Sequence, residues 1–443
     1  MTATTTAAPH PAARPPATRP LRRNAQFQAL WLGSSASTLG LAVTDIAYPL
    51  AILASTGSPG DAGLFAALQA LGALLAGLPG GLLVDRISPR IVLVITEGCR
   101  AAVTAVVATG LAMGWLSLPG LLAAAVLLGI GQPVASAARM LLLRSVVPAE
   151  QLTSALTQDE LRISGAALAG PPIGGGLSAL RALAHAVPFV FTACSFVLSL
   201  ATALLIRPAP AEPGQPAATG QSGRPAAGPA GGQGKGMLLG IKVIWANPML
   251  RAATLLIAVV NTVGVGLDLV AVVLLRAQGV APGIIGLSLA GAAAGGLAGT
   301  RLVRPLHRLQ PGVLLLGVCL ALIPLCALLA LPYGPWWTAA LLFIAMLGVP
   351  ALRVLADILI LRPTPAEQRG RVVGAVMTLF SLGIPAGYAA SGLLLQHLRP
   401  APAMLVLAGA LAAGVLYCAT KRELWRARWP QEPQQPQQAG GSH

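Results

Sequence analysis

The chain has 443 residues, of which 55% are hydrophobic and only 9% charged, and its mean hydropathy is +0.76. Soluble domains carry about 25% charged residues, so this composition excludes an ordinary soluble protein and indicates an integral membrane chain. The net charge of +16 does not indicate nucleic acid, because the arginines fall in short loops on one side of the apolar runs, as the positive-inside rule requires.

Apolar runs of about 20 residues, the length a helix needs to cross the hydrocarbon core, recur along the whole sequence. In lipid each run must satisfy its own backbone hydrogen bonds, so these are helices. The short alternating segments of a β-barrel are absent from the sequence. The five cysteines, Cys99, Cys194, Cys319, Cys326 and Cys418, have neither metal nor disulfide spacing and read as small apolar residues.

In chain order, residues 1–20 are rich in Ala, Thr and Pro and read as a disordered tail rather than a cleaved signal. Span 1 runs from Phe27 to Ala54 and contains Asp45 and Tyr48. Span 2 covers Leu64 to Val84, and the loop Gly81-Leu82-Leu83-Val84-Asp85-Arg86-Ile87-Ser88-Pro89-Arg90 follows. Span 3 (Ile91 to Met113) carries Glu97 and Arg100. Span 4 (Leu121 to Leu143) carries Gln132 and ends in Arg139 and Arg144. Span 5 (Leu161 to Leu180) holds Gly170-Pro171-Pro172-Ile173-Gly174-Gly175, and span 6 covers Ala186 to Ile206. Residues 207–240 are dominated by Pro, Gly, Ala and Gln and read as a flexible linker, with an interfacial helix expected over Ile241 to Met249. Six more spans follow, near 250–275, 284–302, 313–331, 336–360, 372–395 and 404–420, before a basic, Gln/Pro-rich tail.

The domain organisation is therefore a tail (1–20), a six-helix bundle (21–206), a linker (207–240), a second six-helix bundle (241–420) and a tail (421–443). Arg86, Arg90, Arg139, Arg144, Arg207, Arg301, Arg304, Arg308, Arg362, Arg369, Arg371, Lys421 and Arg422 fall on one side, and only Arg181, Arg276 and Arg399 on the other. That asymmetry puts both termini in the cytoplasm.

The two halves repeat. Pro148-Ala149-Glu150-Gln151 recurs as Pro365-Ala366-Glu367-Gln368, and at nearly the same offset Pro171 has a counterpart in Pro385. Asn24 before span 1 corresponds to Asn247 before span 7, and the offset between these asparagines carries Asp45 onto Asp268. Transporters made of two similar halves bind cargo between them, near the bilayer midplane.

Asp45 and Asp268 are thus the first candidates for function. An ionisable group within a span costs about 2.5–3.5 kcal/mol on insertion scales, so it faces the bundle interior and usually has a task. At equivalent positions of two halves, the pair could take protons or hold a cationic substrate. Glu97 and Arg100 share one face of span 3 and can pair with each other or with Asp159, Glu160 and Arg162, as a structural ion-pair network or as part of a gate. Tyr48, Gln132, Asn261, Arg353, Asp357 and Tyr388 are polar candidates for the cavity wall, and Arg353 and Asp357 are spaced to pair on span 10. No Walker loop, His-Glu-x-x-His helix or Gly-x-Ser-x-Gly elbow occurs. The chain therefore reads as no enzyme, with no cofactor and no metal.

The loop at 81–90 resembles the loop between helices 2 and 3 of the major facilitator superfamily, Gly-x-Leu-x-Asp-Arg-x-Gly-Arg-Arg/Lys. Gly81, Leu83, Asp85, Arg86 and Arg90 match, while Ser88 and Pro89 depart from the pattern. The run Gly170-Pro171-Pro172-Ile173-Gly174-Gly175 resembles part of the superfamily's span 5 motif associated with antiporters. The stretch from Gly129 to Pro171, with Val43-Thr44, Pro49-Leu50 and Gly98 to Ala101, resembles the enterobactin-exporter-like and related drug-efflux branch. The resemblance implies an all-α major facilitator fold of about twelve transmembrane helices in two pseudo-symmetric bundles. It implies alternating access and proton-driven export of a small amphipathic molecule, by a monomer in the inner membrane. Gly81, Asp85, Arg86, Arg90 and Arg139 would form a cytoplasmic gate, with Asp85 facing the start of span 11 near Gly370 to Val372 and Arg139 as its charge partner. The alternatives are a facilitator or importer of a polar nutrient without obligate proton antiport, and a non-transporting membrane scaffold or sensor.

Overall fold

The computed structural model describes residues 21–180, 186–207, 233–306, 310–356, 366–421 and 425; for Leu78, 233–238, 240, 303–306 and 366–371 the backbone alone is described. The expected N-terminal tail, most of the C-terminal tail and of the linker, and Arg181, Arg308, Asp357, Arg362 and Arg422 lie outside the described residues, as do the side chains of Arg304, Arg369 and Arg371.

The first half consists of α1 (Ala25–Thr56), α2 (Pro59–Arg86), α3 (Pro89–Met113), α4 (Leu118–Val146), α5 (Leu152–Ala179) and α6 (Val187–Leu205). A helix α7 (Gln233–Ala246) precedes the second half. That half comprises α8 (Pro248–Ala277), α9 (Pro282–Leu306), α10 (Pro311–Leu328), α11 (Pro335–Leu347) with α12 (Val349–Ala356), α13 (Ala366–His397) and α14 (Pro400–Ala419). Among the described residues, eleven helical stretches are long and apolar enough to cross a membrane, α11 and α12 counting as one. The remaining crossing is α5, whose 28 residues include Asp159, Glu160 and Arg162 and so dilute its apolar signal.

Local chemistry sets these boundaries. The side chain of Asn24 accepts from the Phe27 amide and caps α1, and Asn247 does the same for α8 by accepting from Met249 and Leu250. Such a cap is worth about 0.5–2 kcal/mol relative to Ala. Asn24 also donates to the carbonyl of Val146 (2.9 Å) and so ties the start of α1 to the end of α4. Proline in the first turn opens α2, α3 and α8, where its missing N–H costs nothing. Gly57 and Gly114 end α1 and α3 in the left-handed region, with φ of 70° and 73°.

The boundaries differ from the sequence expectation in three places. First, α5 and α13 begin at Leu152 and Ala366, well before their apolar runs, because each continues the polar Pro-Ala-Glu-Gln segment into the helix. Second, span 10 is broken between Leu347 and Val349. Pro350 has no N–H to bond back to the preceding turn, and Gly348 leaves the helix easily there. Third, the stretch taken as linker to residue 240 overlaps α7, which begins at Gln233 and packs on α13 and α8.

Packing repeats along with sequence. In the first half α2 lies on α4, α1 on α5 and α6, and α3 on α6; in the second, α9 lies on α11, α8 on α13 and α14, and α10 on α14. The halves meet through α5 against α9 and α2 against α13, two contacts that exchange under the same repeat. Below, the Asp85 face is the end where α1 begins and α2 finishes, and the far face is the other end.

Candidate functional site

Asp45 stands as far past its capping asparagine, Asn24, as Asp268 stands past Asn247. The rise of an α-helix turns that separation into about 31 Å along the axis, towards the far face. Val43, Thr44, Ile46 and Ala47 around Asp45 are buried, while Asp45 itself is exposed and Asp268 is half-buried. An exposed carboxylate between buried neighbours in the interior of an apolar helix marks a polar space on the face of α1 turned towards α8. The two carboxylates lie close enough for their charges to interact, and both act on the hydroxyl of Tyr388 on α13. The repeat thus brings together an acid from each half and one phenol.

The helices flanking this pair are fitted by small residues. On α5, Gly170 abuts Ala42 and Gly174 abuts Val43, two residues before Asp45 in the chain. One residue further round the helix, Gly175 faces Gly286 of α9, and a Cβ there would lie 3.1 Å from the Gly286 Cα. The Gly170–Gly175 run therefore has two faces, one on the helix that carries Asp45 and one on the other half.

The repeat reproduces both contacts. The offset that links the two Pro-Ala-Glu-Gln segments also carries Gly170 and Gly175 onto Gly387 and Gly392. The offset that links the capping asparagines carries Ala42 and Gly63 onto Val265 and Gly286. Gly387 packs against Val265 (2.5 Å for an added Cβ), and Gly392 faces Gly63, where an added Cβ would lie 3.0 Å from the Gly63 Cα. In this packing Tyr388, and not Pro385, occupies the place of Pro171, so at this position the second half has a phenol where the first has a proline ring. Both glycine pairs between halves lie at the far face, because α2 and α9 begin there and α5 and α13 end there. At the Asp85 face an added Cβ at Gly81 or Gly165 would meet nothing within 4 Å, and Leu83, Ile87, Leu161 and Ile163 are exposed. Among the described residues, the close glycine contacts between the halves thus lie at the far face, which is closed.

Glu97 and Arg100 pair as expected of their spacing, with Arg100 Nη1 3.3 Å from Glu97 Oε1. Both are buried, and Arg100 stacks 4.2 Å over the ring of Phe196. Arg139 also donates to Glu97 and, at 2.6 Å, to Ser37, whose hydroxyl contacts Glu97 at 3.2 Å. Arg139 was expected beside Asp85. It is committed to Glu97 instead, because a buried carboxylate offers it a partner free of competing water. Asp159 and Arg162 do not join Glu97. They pair with each other at 2.7 Å, and Arg162 also donates to Thr38 and to the Ser34 carbonyl (2.9 Å). The expected single network is thus two clusters hung on adjacent positions of α1. Sequence reading missed Ser37 and Thr38, although their adjacent hydroxyls in an apolar span were the available signal; Ser34 contributes its backbone carbonyl, which leaves no mark in the sequence.

Asp85 and Arg86 are exposed, and Asp85 makes no hydrogen bond or ion pair among the described residues. Arg90 instead binds the last turn of α6 through the carbonyls of Ala203 (3.4 Å) and Leu204. The expected docking point of Asp85 also moves, since α13 starts at Ala366 and not near Gly370. Among the cavity candidates, Tyr48 belongs to the core of the first half: it is buried, and its ring stacks 4.2 Å from Phe65 and lies tilted 4.7 Å from Phe189, because three aromatic rings bury more apolar area together than any one exposes to a cavity. Asn261 and Tyr388 are half-buried, and Gln132 and Arg353 are exposed. Asp357 is outside the described residues, so its expected pair with Arg353 is not described.

Two six-helix halves related by a repeat, in close glycine contact at the far face and with ionisable groups between them, define a multi-pass membrane transporter. The family model of the Major Facilitator Superfamily matches residues 30–387. The chain belongs to that superfamily, a family of secondary transporters and not of enzymes, whose members bind small-molecule substrates within the bilayer. No curated protein matches the chain. Among solved structures, it is similar to the nucleoside transporter NupG at 11% identity and a TM-score of 0.71, over 91% of this chain and 100% of that one. It is similar to a bacterial homologue of the iron transporter ferroportin in the inward-facing state at 16% identity and a TM-score of 0.70, over 91% and 99%. It is also similar to a bacterial homologue of the human lysosomal transporter Spinster in an inward-facing conformation at 18% identity and a TM-score of 0.66, over 94% and 100%. At these identities the likeness is one of fold.

Proposed function

We propose that this protein exports a small amphipathic molecule in exchange for protons, by alternating access and as a monomer. The observation that carries this reading is the Asp45–Asp268–Tyr388 cluster, one acid from each half at equivalent positions on the boundary that must open and close. Carboxylates shared between moving halves suit coupling, because protons and cargo compete for the same oxygens. The arginine asymmetry supports a cytoplasmic Asp85 face in an inner membrane, so the arrangement closed at the far face is the inward-open one. The glycine-fitted α5 then carries motion of the far-face contact with α9 to Ala42 and Val43, beside Asp45. The stretch from Gly129 to Pro171, with Val43-Thr44, Pro49-Leu50 and Gly98 to Ala101, supports the drug-efflux branch, and the Gly170–Gly175 run supports antiport.

The test uses inverted membrane vesicles holding an imposed pH gradient and a panel of amphipathic amines such as ethidium. A panel member should collapse the gradient with wild-type protein and not with Asp45→Asn. Transport of a panel member that leaves the gradient intact overturns antiport and favours a facilitator or importer.

A further inference from the structure

The cluster around Glu97 holds more positive charge than it needs. Arg100 and Arg139 share a single carboxylate, that of Glu97. Arg100 is fixed: its side chain is 2% exposed, lies against Phe196 and donates to Glu97 and Ser37. Its Nε and Nη2 and the Nε of Arg139 have no hydrogen-bond partner among the described residues. The side chain of Arg139 is 12% exposed, against 0% for Glu97. The neighbouring acid offers no relief, since Asp159 is taken by Arg162, and Arg162 lies close enough to Arg139 for their charges to interact. Glu160 is exposed and forms no ion pair among the described residues. One guanidinium charge is therefore left over, and Arg139 is the side chain that can offer it.

Its position relative to the acidic pair is set by α1. Arg139 is bound to Ser37, and Arg162 to Thr38. Thr38 shares a helical face with Asp45, two turns further on. Ser37, which holds Arg139, stands eight residues before Asp45, so along the axis of α1 the surplus cation sits about 11–12 Å closer to the Asp85 face than the carboxylates. Along α1 the first half thus carries an acidic end at Asp45 and a basic end at the Ser37–Arg139 and Thr38–Arg162 contacts.

We infer that the cargo is zwitterionic, with a cationic group held by Asp45 and Asp268 and a carboxylate or phosphate held by Arg139. This rests on the proposed export function and deepens it. A partly exposed guanidinium in excess over its carboxylate binds such an anion with charge-assisted hydrogen bonds. A neutral or singly cationic cargo would leave Arg139 as it stands.

The test measures heat stabilisation of the full-length purified protein in lipid nanodiscs by four probes: ω-aminooctanoate, octylamine, octanoate and γ-aminobutyrate. The ω-aminooctanoate should stabilise at concentrations at least about tenfold below those of the two singly charged chains, and γ-aminobutyrate, too short to span both ends, should not stabilise. Arg139→Gln should abolish the preference for ω-aminooctanoate over octylamine, and Arg139→Lys should restore part of it. Because the ladder is read on wild-type protein, misfolding of a variant leaves the test intact: equal action of octylamine and ω-aminooctanoate overturns the inference. If octylamine nonetheless drives protein-dependent proton movement in vesicles, export stands and the zwitterionic cargo falls. Selective binding of ω-aminooctanoate without proton movement would do the reverse.

Discussion

Gly392 of α13 lies against Gly63 of α2 across the boundary between the halves, and no side chain could stand between them. A Cβ added at Gly63 would come 2.5 Å from the Gly392 Cα, closer than real Cβ atoms approach backbone. Closure of the far face therefore depends on the absence of two side chains, here and at the symmetry-related pair Gly175 and Gly286.

Gly392→Val should hold the far face open. The variant cannot relieve the clash by rotating a side chain, since its neighbour is backbone. A single cysteine at the far end of α13, Gln396→Cys, should be labelled several-fold faster by a membrane-impermeant maleimide in the valine background. Gly81→Ala, where an added Cβ meets nothing, should leave that rate unchanged. Equal labelling in all three backgrounds would show that the glycine pair does not set closure.

Asp45→Asn should abolish substrate-driven proton movement, to less than roughly a tenth of wild type, without loss of fold. Asp45 forms no ion pair among the described residues, so neutralising it leaves no partner stranded and removes a charge that is costly within a span. The melting temperature in nanodiscs should be unchanged or raised. A fall of several degrees would assign Asp45 a structural role.

Glu97→Gln should behave in the opposite way. It leaves the buried Arg100 and the half-buried Arg139 with no carboxylate, a loss of about 3–5 kcal/mol when one member of a buried pair is removed. Folded yield and melting temperature should drop sharply. Adding Arg100→Met to that variant should recover part of the loss, because the stranded cation is gone and Met can still pack on Phe196. Purely additive effects would mean that Glu97 and Arg100 are not coupled.

Most of the fold could be read from the sequence, because the bilayer forces every span to be an apolar helix and the caps Asn24 and Asn247 mark equivalent starts. The acidic pair could be read too, since the offset that relates those caps carries Asp45 onto Asp268. What could not be read were partners chosen by three-dimensional competition. Arg139 has two acids within reach of a plausible argument, and only packing shows that Glu97, buried and already beside Ser37, takes it. The break at Gly348 was hidden because its flanks stay apolar on both sides. The early starts of α5 and α13 were missed for the converse reason, as their first turns are polar. Applying the offset between the two Pro-Ala-Glu-Gln segments to Gly175 would have found Gly392.

Asp85→Asn tests the one motif that this conformation leaves idle. Asp85 is exposed and unpaired among the described residues, so the substitution should not alter the melting temperature of the form closed at the far face. If Asp85 latches the opposite form by facing the start of α13, it acts there through the helix dipole, worth about 0.3–1 kcal/mol. With Arg139 held by Glu97, no strong ion pair adds to that figure unless Arg139 changes partners. The loss of Asp85 should then shift the balance between forms only about two- to fivefold. A larger shift would mean that Arg139 leaves Glu97 for Asp85 during the cycle. Spin labels at Ile87→Cys and Met377→Cys, read as distance distributions, separate these outcomes. A modest loss of the short-distance population supports the dipole latch, a loss of more than roughly tenfold supports the exchange of Arg139, and identical distributions remove Asp85 from gating.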